Sequence, residues 1–307
     1  MNVLRQILQL APVLYPGSGH QTAIRRWKHV GRSVLYLPWT AEWYRFLDTP
    51  NLRVATAARP RVFAKLQRPY LTRRHRVPAR LAALKQHYGY IDRALPAATL
   101  DAIYRPGGLH LATFPLDEGR SVTIRLENND RYEKEGEFIV GIYLSPGDKL
   151  AYTVACVVTG GDAVERGLFI GGLQGGNEPD QPDLIRDLTK DMFGLRPKAF
   201  ALFLAQQLAE WVGATSLRAV ADDETIYQHF QNRKSIEASY DGLWTESGGQ
   251  RSPADGCFDL PLRHVEKARE EIKTKKRSLY EKRYALMREI AEATRTGWQA
   301  ALRQPGD

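Results

Sequence analysis

Two glutamates, Glu135 and Glu137, flank a glycine where a predicted strand begins. Side chains alternate along a strand with a period of two residues, so both carboxylates are expected on one face. Two carboxylates held close together raise the pKa of one of them, and such a group can act as a general base. The alternative interpretation is an exposed acidic edge, helped by the nearby Arg131 and Lys134.

A second acidic group follows a predicted parallel strand. Asp222 and Asp223 end that strand, at the edge of an open sheet where ligands often bind, so Asp222 is a candidate catalytic carboxylate. Their alternative role is to cap a following helix, predicted over 224–232. Tyr227 on that helix is a candidate acid for a leaving group, or else a core residue.

Aromatic residues could contact a substrate at three positions. Tyr240 and Trp244 could form an aromatic wall for a substrate or a stacked base. His87, beside Tyr88 and Tyr90, is the third candidate. For all three the alternative is a place in the core, which for His87 means a buried histidine with its hydrogen bonds satisfied.

Metal and disulfide chemistry have no support in the sequence. The seven histidines show no spacing such as H-E-x-x-H, and two cysteines, Cys156 and Cys257, are too few for a disulfide framework or a thiolate cage. We predict no metal and no tightly bound cofactor.

Charge is distributed in blocks. Residues 1–93 contain 17 Lys and Arg against 3 Asp and Glu, a net charge of +14; residues 94–262 contain 15 against 25, or −10; residues 263–307 contain 12 against 7, or +5. Basic ends around an acidic middle predict an anionic partner such as RNA, a phosphorylated cofactor or a lipid headgroup surface. The alternative is that these cations only solvate helix surfaces.

Two basic clusters contain aromatic residues. Lys275, Lys276 and Arg277 lie in a block that continues to Tyr284, and five arginines stand between Arg68 and Arg80. Cations interleaved with aromatic rings suit phosphate contacts combined with stacking. The two clusters could hold a nucleic acid backbone or an anionic membrane surface.

The pattern along the chain predicts an α+β fold in three regions. Residues 1–105 form a basic region of short helices, 106–262 a mixed sheet, and 263–307 a basic segment with one long or broken helix over 266–302. The middle region begins as an antiparallel meander. An apolar helix over 199–212 and a strand at 216–221 then add a parallel pair. Residues 176–194 are expected to be a loop, with short strands near 242–246 and 256–260.

This order of elements resembles the GNAT acyltransferase fold, in which two parallel strands splay apart and the acyl donor enters the wedge. The donor phosphates lie there near a helix N-terminus, where backbone N–H groups and the dipole favour anions. The resemblance implies a donor site at Gln174, Gly175, Arg196 and Lys198. The Q/R-x-x-G-x-G/A pattern usual for coenzyme A is absent, because Asn177 stands at its fourth position.

Several short blocks, in order from about His87 to Tyr284, also resemble the VirK/YbjX family of bacterial proteins. The resemblance implies a link to virulence and to resistance against cationic peptides, without an agreed reaction. The blocks are His87-Tyr88, Glu135-Gly136-Glu137, Ile170 to Gly175, Thr189-Lys190 with Gly194 to Lys198, Tyr240-Asp241 with Trp244, Leu260-Pro261, and Lys275 to Ser278 with Tyr280 and Arg283-Tyr284.

Together these features predict a GNAT-like transferase. It would move an acyl or aminoacyl group from an anionic carrier, with aminoacyl-tRNA favoured, to a small amine or hydroxyl acceptor. The alternatives are an acyl-thioester-dependent N-acyltransferase and a non-enzymatic envelope-associated binding protein at an anionic membrane surface. The chain has no apolar stretch of about 18 to 20 residues and a poor cleavage site after Tyr15, so we expect a cytoplasmic protein.

Overall fold

The computed structural model describes residues 2–161, 165–226 and 239–303, which form an α+β fold around one mixed sheet. The strands are β1 Leu109–Pro115, β2 Ser121–Glu127, β3 Phe138–Ser145, β4 Lys149–Thr159, β5 Gly167–Gly175, β6 Ser216–Ala219, β7 Gln250–Arg251 and β8 Phe258–Leu260. Their order is β1-β2-β3-β4-β5-β6-β8-β7, and in this part of the chain β5 and β6 are the parallel pair. The predicted meander with one added parallel pair is confirmed.

Helices precede the sheet, cross over between its parallel strands and follow it. They are α1 Val3–Leu14, α2 His20–Leu35, α3 Leu37–Phe46, α4 Pro50–Ala58, α5 Val77–Ala94, α6 Ala97–Tyr104, α7 Gln181–Asp191, α8 Pro197–Trp211, α9 Tyr240–Glu246 and α10 Arg277–Leu302. A 3-10 helix spans Pro60–Gln67. The helical N-terminal region and the long C-terminal helix are as predicted.

Proline residues explain why the N-terminal region is divided into short helices. Pro38, Pro50 and Pro78 each lie in the first turn of a helix, where the missing N–H has no intrahelical partner to lose. At α4 the Thr49 hydroxyl also accepts a hydrogen bond from the Leu52 amide at 3.2 Å. Helices α3, α4 and α5 therefore each start where the sequence supplies a proline.

One hydrophobic core joins the N-terminal helices, the sheet and the C-terminal helix. Its buried members run from Ile7 through Trp43 and Phe138 to Trp298. Helix α5 packs on β4, and α8 packs on β3, β4 and β5. Buried side chains of all three predicted regions share this core. The division of the chain at residues 105 and 262 stays a prediction.

Helix α10 lies against the outermost strand β1. A side-chain carbon placed at Gly297 would stand 2.0 Å from the carbonyl oxygen of Leu111, so only glycine allows the helix to approach this closely. The next residue, Trp298, is buried and stacks on Trp211 with ring centroids 6.1 Å apart. The C-terminal helix is thus packed along the length of the sheet border.

Two local predictions were wrong. The expected loop 176–194 contains α7, which buries Leu184 and Leu188. The expected strand at 242–246 is instead part of α9, because the Tyr240 amide at its start is capped by the distant Asp222. The segment 266–302, expected as one long or broken helix, is broken: two 3-10 turns precede a helix that begins at Arg277.

Candidate functional site: a cationic groove beside the parallel strands

The parallel strands β5 and β6 separate after a short pairing. They are paired from Gly167 with Ser216 to Ile170 with Ala219, and the Val220 amide donates to the Ile170 carbonyl at 2.9 Å. Strand β5 then continues to Gly175 beside β4, while β6 has ended. The sheet therefore opens into a wedge at the place that the sequence predicts.

Helix α9 fills this wedge with two aromatic side chains. The Tyr240 hydroxyl donates to the Leu173 carbonyl at 2.8 Å and accepts from the Leu173 amide at 3.2 Å. Trp244, one turn later, is fully buried and its indole N–H donates to the Val220 carbonyl at 2.9 Å. Backbone groups that lost their strand partner are thereby satisfied by side chains. The expected open port is thus filled by Tyr240 and Trp244, which here have the packing role that was the alternative to a substrate wall.

Asp222 holds α9 in the wedge. Its carboxylate accepts from the Tyr240 amide at 2.8 Å and from the Ser239 hydroxyl at 2.7 Å, while its own amide donates to Asp241 at 2.8 Å. Asp222 is thus a cap of α9. The helix predicted over 224–232, which the alternative interpretation had Asp222 cap, lies mostly outside the described residues, as does Tyr227, the candidate acid for a leaving group.

A groove of about 700 Å³ lies next to the wedge, between the start of α8, the end of α9 and α10. Leu195, Leu202, Leu243 and Met287 are among its apolar lining residues. Four cations and one carboxylate also line it: Arg196, Arg263, Lys267, Arg283 and Glu246. An apolar floor with a net charge of +3 from these five groups suits an anionic ligand with an apolar part.

Arg196 lines the groove as the N-cap residue of α8, and Lys198 follows in the first turn of that helix. The Arg196 guanidinium is 2.6 Å from the Glu246 carboxylate, and its side chain is about half exposed. The hydrogen bond from Arg196, and to a lesser degree the charge of Lys198, lowers the pKa of Glu246. Both predicted donor-site cations are therefore brought together, with Glu246 as a counter-charge that the sequence analysis missed.

Arg283 is fixed on the α10 side of the groove. Its Nε and Nη2 donate to the Phe193 carbonyl at 3.0 and 2.8 Å, and its guanidinium stacks over the Tyr280 ring at 4.4 Å. An arginine held in this way costs less conformational entropy on binding an anion. The family block Arg283-Tyr284 was the signal in the sequence that pointed to it.

The basic block Lys275 to Arg277 lies just before the groove. Lys275 and Lys276 are exposed in the 3-10 turn that precedes α10, and Arg277 donates to the Ile272 carbonyl at 3.3 Å. None of the three is among the residues that line the groove within the described chain. Tyr280, about one turn further along, does line it.

The glycine-rich run of β5 makes a close contact with the segment around Glu135. A side-chain carbon at Gly171 would lie 1.9 Å from the Glu135 carbonyl oxygen, and one at Gly172 would lie 2.6 Å from Glu135 Oε2. The Gln174 amide donates to Glu135 Oε1 at 2.5 Å. These glycines therefore allow two backbones to approach each other, and Gln174 and Gly175 are held by packing at the end of β5.

Glu137 is fully buried in a separate set of partners. Its carboxylate accepts from the Tyr70 hydroxyl at 2.8 Å, the Tyr88 hydroxyl at 2.7 Å and the Asn128 amide at 3.3 Å, and the Lys65 ammonium lies at 2.8 Å. Burial first, and then the charge of Glu137, raises the pKa of both tyrosines, so both hydroxyls stay protonated and donate.

The two predicted catalytic glutamates thus lie in different surroundings. The structure binds Glu135 to β5 and Glu137 to the N-terminal region, so it does not bring them together as a shared carboxylate pair. Solvent does not reach Glu137. Its partners make it a link between the helical region and the sheet.

His87 is likewise in the core. Its Nδ1 accepts a hydrogen bond from the Val158 amide at 3.2 Å, and its ring packs on Phe138 with centroids 4.6 Å apart. Burial lowers the pKa of His87 to about 3, with a smaller contribution from the Lys65 charge. The ring is therefore neutral near pH 7 and fixes α5 on β4. The alternative interpretation holds for its burial but not for its hydrogen bonds, because the buried Nε2 has no partner among the described residues.

Another buried carboxylate was missed by the sequence analysis. Glu224 is fully buried, and its carboxylate lies 2.6 Å from Arg74 and 3.5 Å from Arg73. The Arg73 amide also donates to the Glu224 carbonyl at 3.0 Å. Part of the basic cluster between Arg68 and Arg80 is thus used to hold the end of the parallel pair.

Comparison with known proteins shows what the chain is related to. A family described as "Protein of unknown function (DUF535)" matches residues 18–296. Over 275 residues the chain is 30% identical to the Escherichia coli K12 "Uncharacterized protein YbjX", covering 87% of this chain and 81% of that protein. The chain belongs to the VirK/YbjX family.

Other family relatives are more distant. A Haemophilus influenzae protein is 28% identical over 158 residues, covering 52% of this chain and 51% of its own length. A second protein from that organism is 27% identical over 179 residues, covering 58% and 52%. No solved structure matches the chain. Within the described residues, no helix has the length and apolarity needed to cross a bilayer, and no group of three or more His, Cys, Asp or Glu side chains could hold a metal ion.

Proposed function

We propose that the protein is a transferase that moves an acyl or aminoacyl group from an anionic carrier to a small amine or hydroxyl acceptor in the bacterial cytoplasm. The observation that carries the proposal is the cationic groove between α8, α9 and α10, in which four cations stand around an apolar floor. Its volume of about 700 Å³ suits the reacting end of a carrier rather than a whole macromolecule.

Aminoacyl-tRNA is the carrier that the observations favour over an acyl thioester. Gly171 and Gly172 are in close contact with Glu135, so their amides are poorly placed for the pyrophosphate of a coenzyme A donor. The groove is large enough for a terminal nucleoside with its amino acid, and Lys275 and Lys276, exposed in the turn that precedes α10, are the cations proposed for the phosphates that follow. Proteins that bind single-stranded RNA ends typically hold the base in a pocket and the phosphates with exposed cations.

The reaction needs a hydrogen-bond donor for the acyl carbonyl. Arg283 lines the groove and is held by the Phe193 carbonyl, so its guanidinium can donate to the acyl carbonyl oxygen there. The acceptor nitrogen or oxygen attacks the carbonyl carbon, the bond from that carbon to the carrier oxygen or sulfur breaks, and the acceptor proton passes to the leaving atom. In this proposal Tyr240 and Asp222 are positioning residues that hold α9, whose Leu243 and Glu246 line the groove.

Salt-dependent tRNA binding combined with a transfer assay tests the proposal. We expect the double variant Arg263→Ala with Lys267→Ala to bind tRNA more weakly and to lower the slope of log affinity against log salt by about 1 to 2. The control carries Arg186→Ala with Arg295→Ala, the same charge change at exposed positions that do not line the groove.

Transfer is measured as loss of labelled amino acid from charged tRNA when a mixture of small amines and alcohols is added. Charged tRNA is expected to lose label only with the protein and an acceptor present. Equal binding by the groove variant and its control would contradict the carrier site. Loss of the acyl group from an acyl thioester but not from charged tRNA would favour the thioester-dependent alternative.

A second candidate, non-enzymatic binding at an anionic membrane surface, is favoured by one observation. The first two helices expose large apolar side chains, and the first 41 residues contain no Asp or Glu. The exposed residues are Leu4, Leu8, Val13, Trp27, Val34 and Leu35. Flotation with vesicles of phosphatidylglycerol and phosphatidylcholine tests this candidate, and Trp27→Ala is expected to reduce the floating fraction.

A further inference from the structure

A second cleft, which shares no lining residue with the cationic groove, lies between α2 and the 3-10 helix Pro60–Gln67. It has a volume of about 310 Å³. Five cations line it, together with one carboxylate, Glu133, so these groups carry a net charge of 5 − 1 = +4. The cations are Arg25, Lys28, Arg32, Arg61 and Arg68. Such a concentration of positive charge around a cavity attracts an anion of more than one charge.

Three of these cations come from one face of α2. Arg25, Lys28 and Arg32 are spaced by three and four residues, so they project from the same side of the helix. Across the cleft, Glu133 forms close ion pairs with Arg68 and, at 4.0 Å, with Arg61. The single carboxylate is thereby engaged on one wall, and the α2 wall supplies charge to the cavity.

His29 supplies the second, independent observation. It lines the cleft, its residue is only 3% exposed, and neither ring nitrogen has a hydrogen-bond partner. Buried polar groups in folded proteins are nearly always hydrogen-bonded, so a buried histidine without a partner requires an explanation. Burial also lowers the pKa of His29 to about 4, so the empty cleft holds a neutral ring with one N–H able to donate.

We propose that this cleft binds a phosphomonoester group. Arg25, Lys28 and Arg32 supply charge-assisted hydrogen bonds to the phosphate oxygens, and the buried imidazole of His29 donates a further one. A phosphate dianion has the charge and the number of acceptor oxygens that this arrangement offers, whereas a carboxylate has half the charge and two oxygens. The volume leaves room for the group that carries the phosphate.

The phosphate has two possible sources, a soluble metabolite or a lipid headgroup. Trp27, next in sequence to the proposed ligands, has 71% of its surface exposed, which suits contact with a membrane interface. The experiment therefore needs one probe for each source. Inorganic phosphate represents the soluble group, and vesicles of phosphatidylcholine with phosphatidic acid present a phosphomonoester at a surface.

Imidazole NMR of the full-length protein tests the proposal. His29 signals are assigned by their absence in His29→Gln, because the chain has seven histidines. We expect the His29 signals to shift saturably with one of the two probes, and Arg32→Ala to weaken that binding about tenfold or more. Arg186→Ala, an equal charge change outside the cleft, is expected to bind like the wild type.

A shift with inorganic phosphate supports the site and identifies a soluble ligand as sufficient. A shift with phosphatidic acid vesicles alone supports the site and assigns it to a lipid headgroup. The proposal is overturned if neither probe shifts His29, or if Arg32→Ala binds as tightly as the wild type. Neither outcome bears on the tRNA assay of the groove, since the two sites use different residues.

Discussion

The ion pair between Lys65 and Glu137 offers the most direct test of how the N-terminal helices are joined to the sheet. The two charged groups are 2.8 Å apart, and both side chains are almost entirely buried. Removing one partner of a buried pair leaves an uncompensated charge and costs about 3 to 5 kcal/mol. Glu137 keeps three neutral donors when Lys65 is changed to Met, so we expect Lys65→Met to lower the free energy of unfolding by about 3 kcal/mol. That loss is a large part of the roughly 5 to 15 kcal/mol typical of folded proteins.

The assay is urea unfolding at pH 7 followed by tryptophan fluorescence. The double variant Lys65→Met with Glu137→Gln removes both charges while it keeps an acceptor for the tyrosines, and we expect it to recover about half of the loss. Lys85→Met is the matched control, because Lys85 pairs with Glu42 at 2.7 Å but both side chains are substantially exposed. Its expected cost is below about 1 kcal/mol. The reasoning is refuted if Lys65→Met and Lys85→Met cost the same.

Three further predictions concern the core, the glycine contact and the wedge. His87 has a folded pKa of about 3, below its unfolded value of 6.5, so the stability it contributes is present above pH 6.5 and is lost as pH falls toward 3. Between pH 7 and pH 5 the wild type should lose about 2 kcal/mol of its free energy of unfolding through this histidine. The variant His87→Gln lacks the titrating ring, so its loss over the same pH range should be smaller by about 2 kcal/mol. Gly171→Ala is expected to cost about 3 kcal/mol or to prevent folding, because the new carbon meets the Glu135 backbone. Tyr240→Phe leaves the buried Leu173 amide and carbonyl without their partner and should cost about 1 to 3 kcal/mol in urea unfolding.

Each of these has a contradicting result. Equal acid sensitivity of His87→Gln and the wild type would show that this ring is not the group that titrates. Gly161→Ala is the control for Gly171→Ala, since a carbon at Gly161 meets nothing within 4 Å, and equal stability of the two variants would rule out the close contact. Unchanged stability of Tyr240→Phe would mean that water enters the wedge easily.

The sequence predicts the sheet well because its signals are local. Strand β2, Ser121–Glu127, belongs to the predicted meander, and its alternating residues end at turn-forming ones on both sides. Helix α9 could not be predicted in this way. Its first amides are capped by Ser239 and by Asp222, and the second of these caps lies 18 residues earlier in the chain.

The candidate site was predicted in part for a similar reason. Arg196 and Lys198 were found because a helix start with cations is a local pattern. The sequence does not show why Gly171 and Gly172 are glycines. The cause is the close approach of Glu135, which lies 36 residues before Gly171 in the chain. Glycine spacing alone is compatible with a phosphate loop, a bulge or a close backbone contact, and only the partner decides among them.

The packing of α10 along β1 has a consequence for shortened forms of the chain. An outermost strand with bare amides and carbonyls is a template on which another molecule can add its own strand, and proteins shield such positions. Here the shield is α10, which approaches β1 closely at Gly297. Chains cut before Arg277 would present that template uncovered, so they should form oligomers or precipitate even where the rest of the sheet has folded.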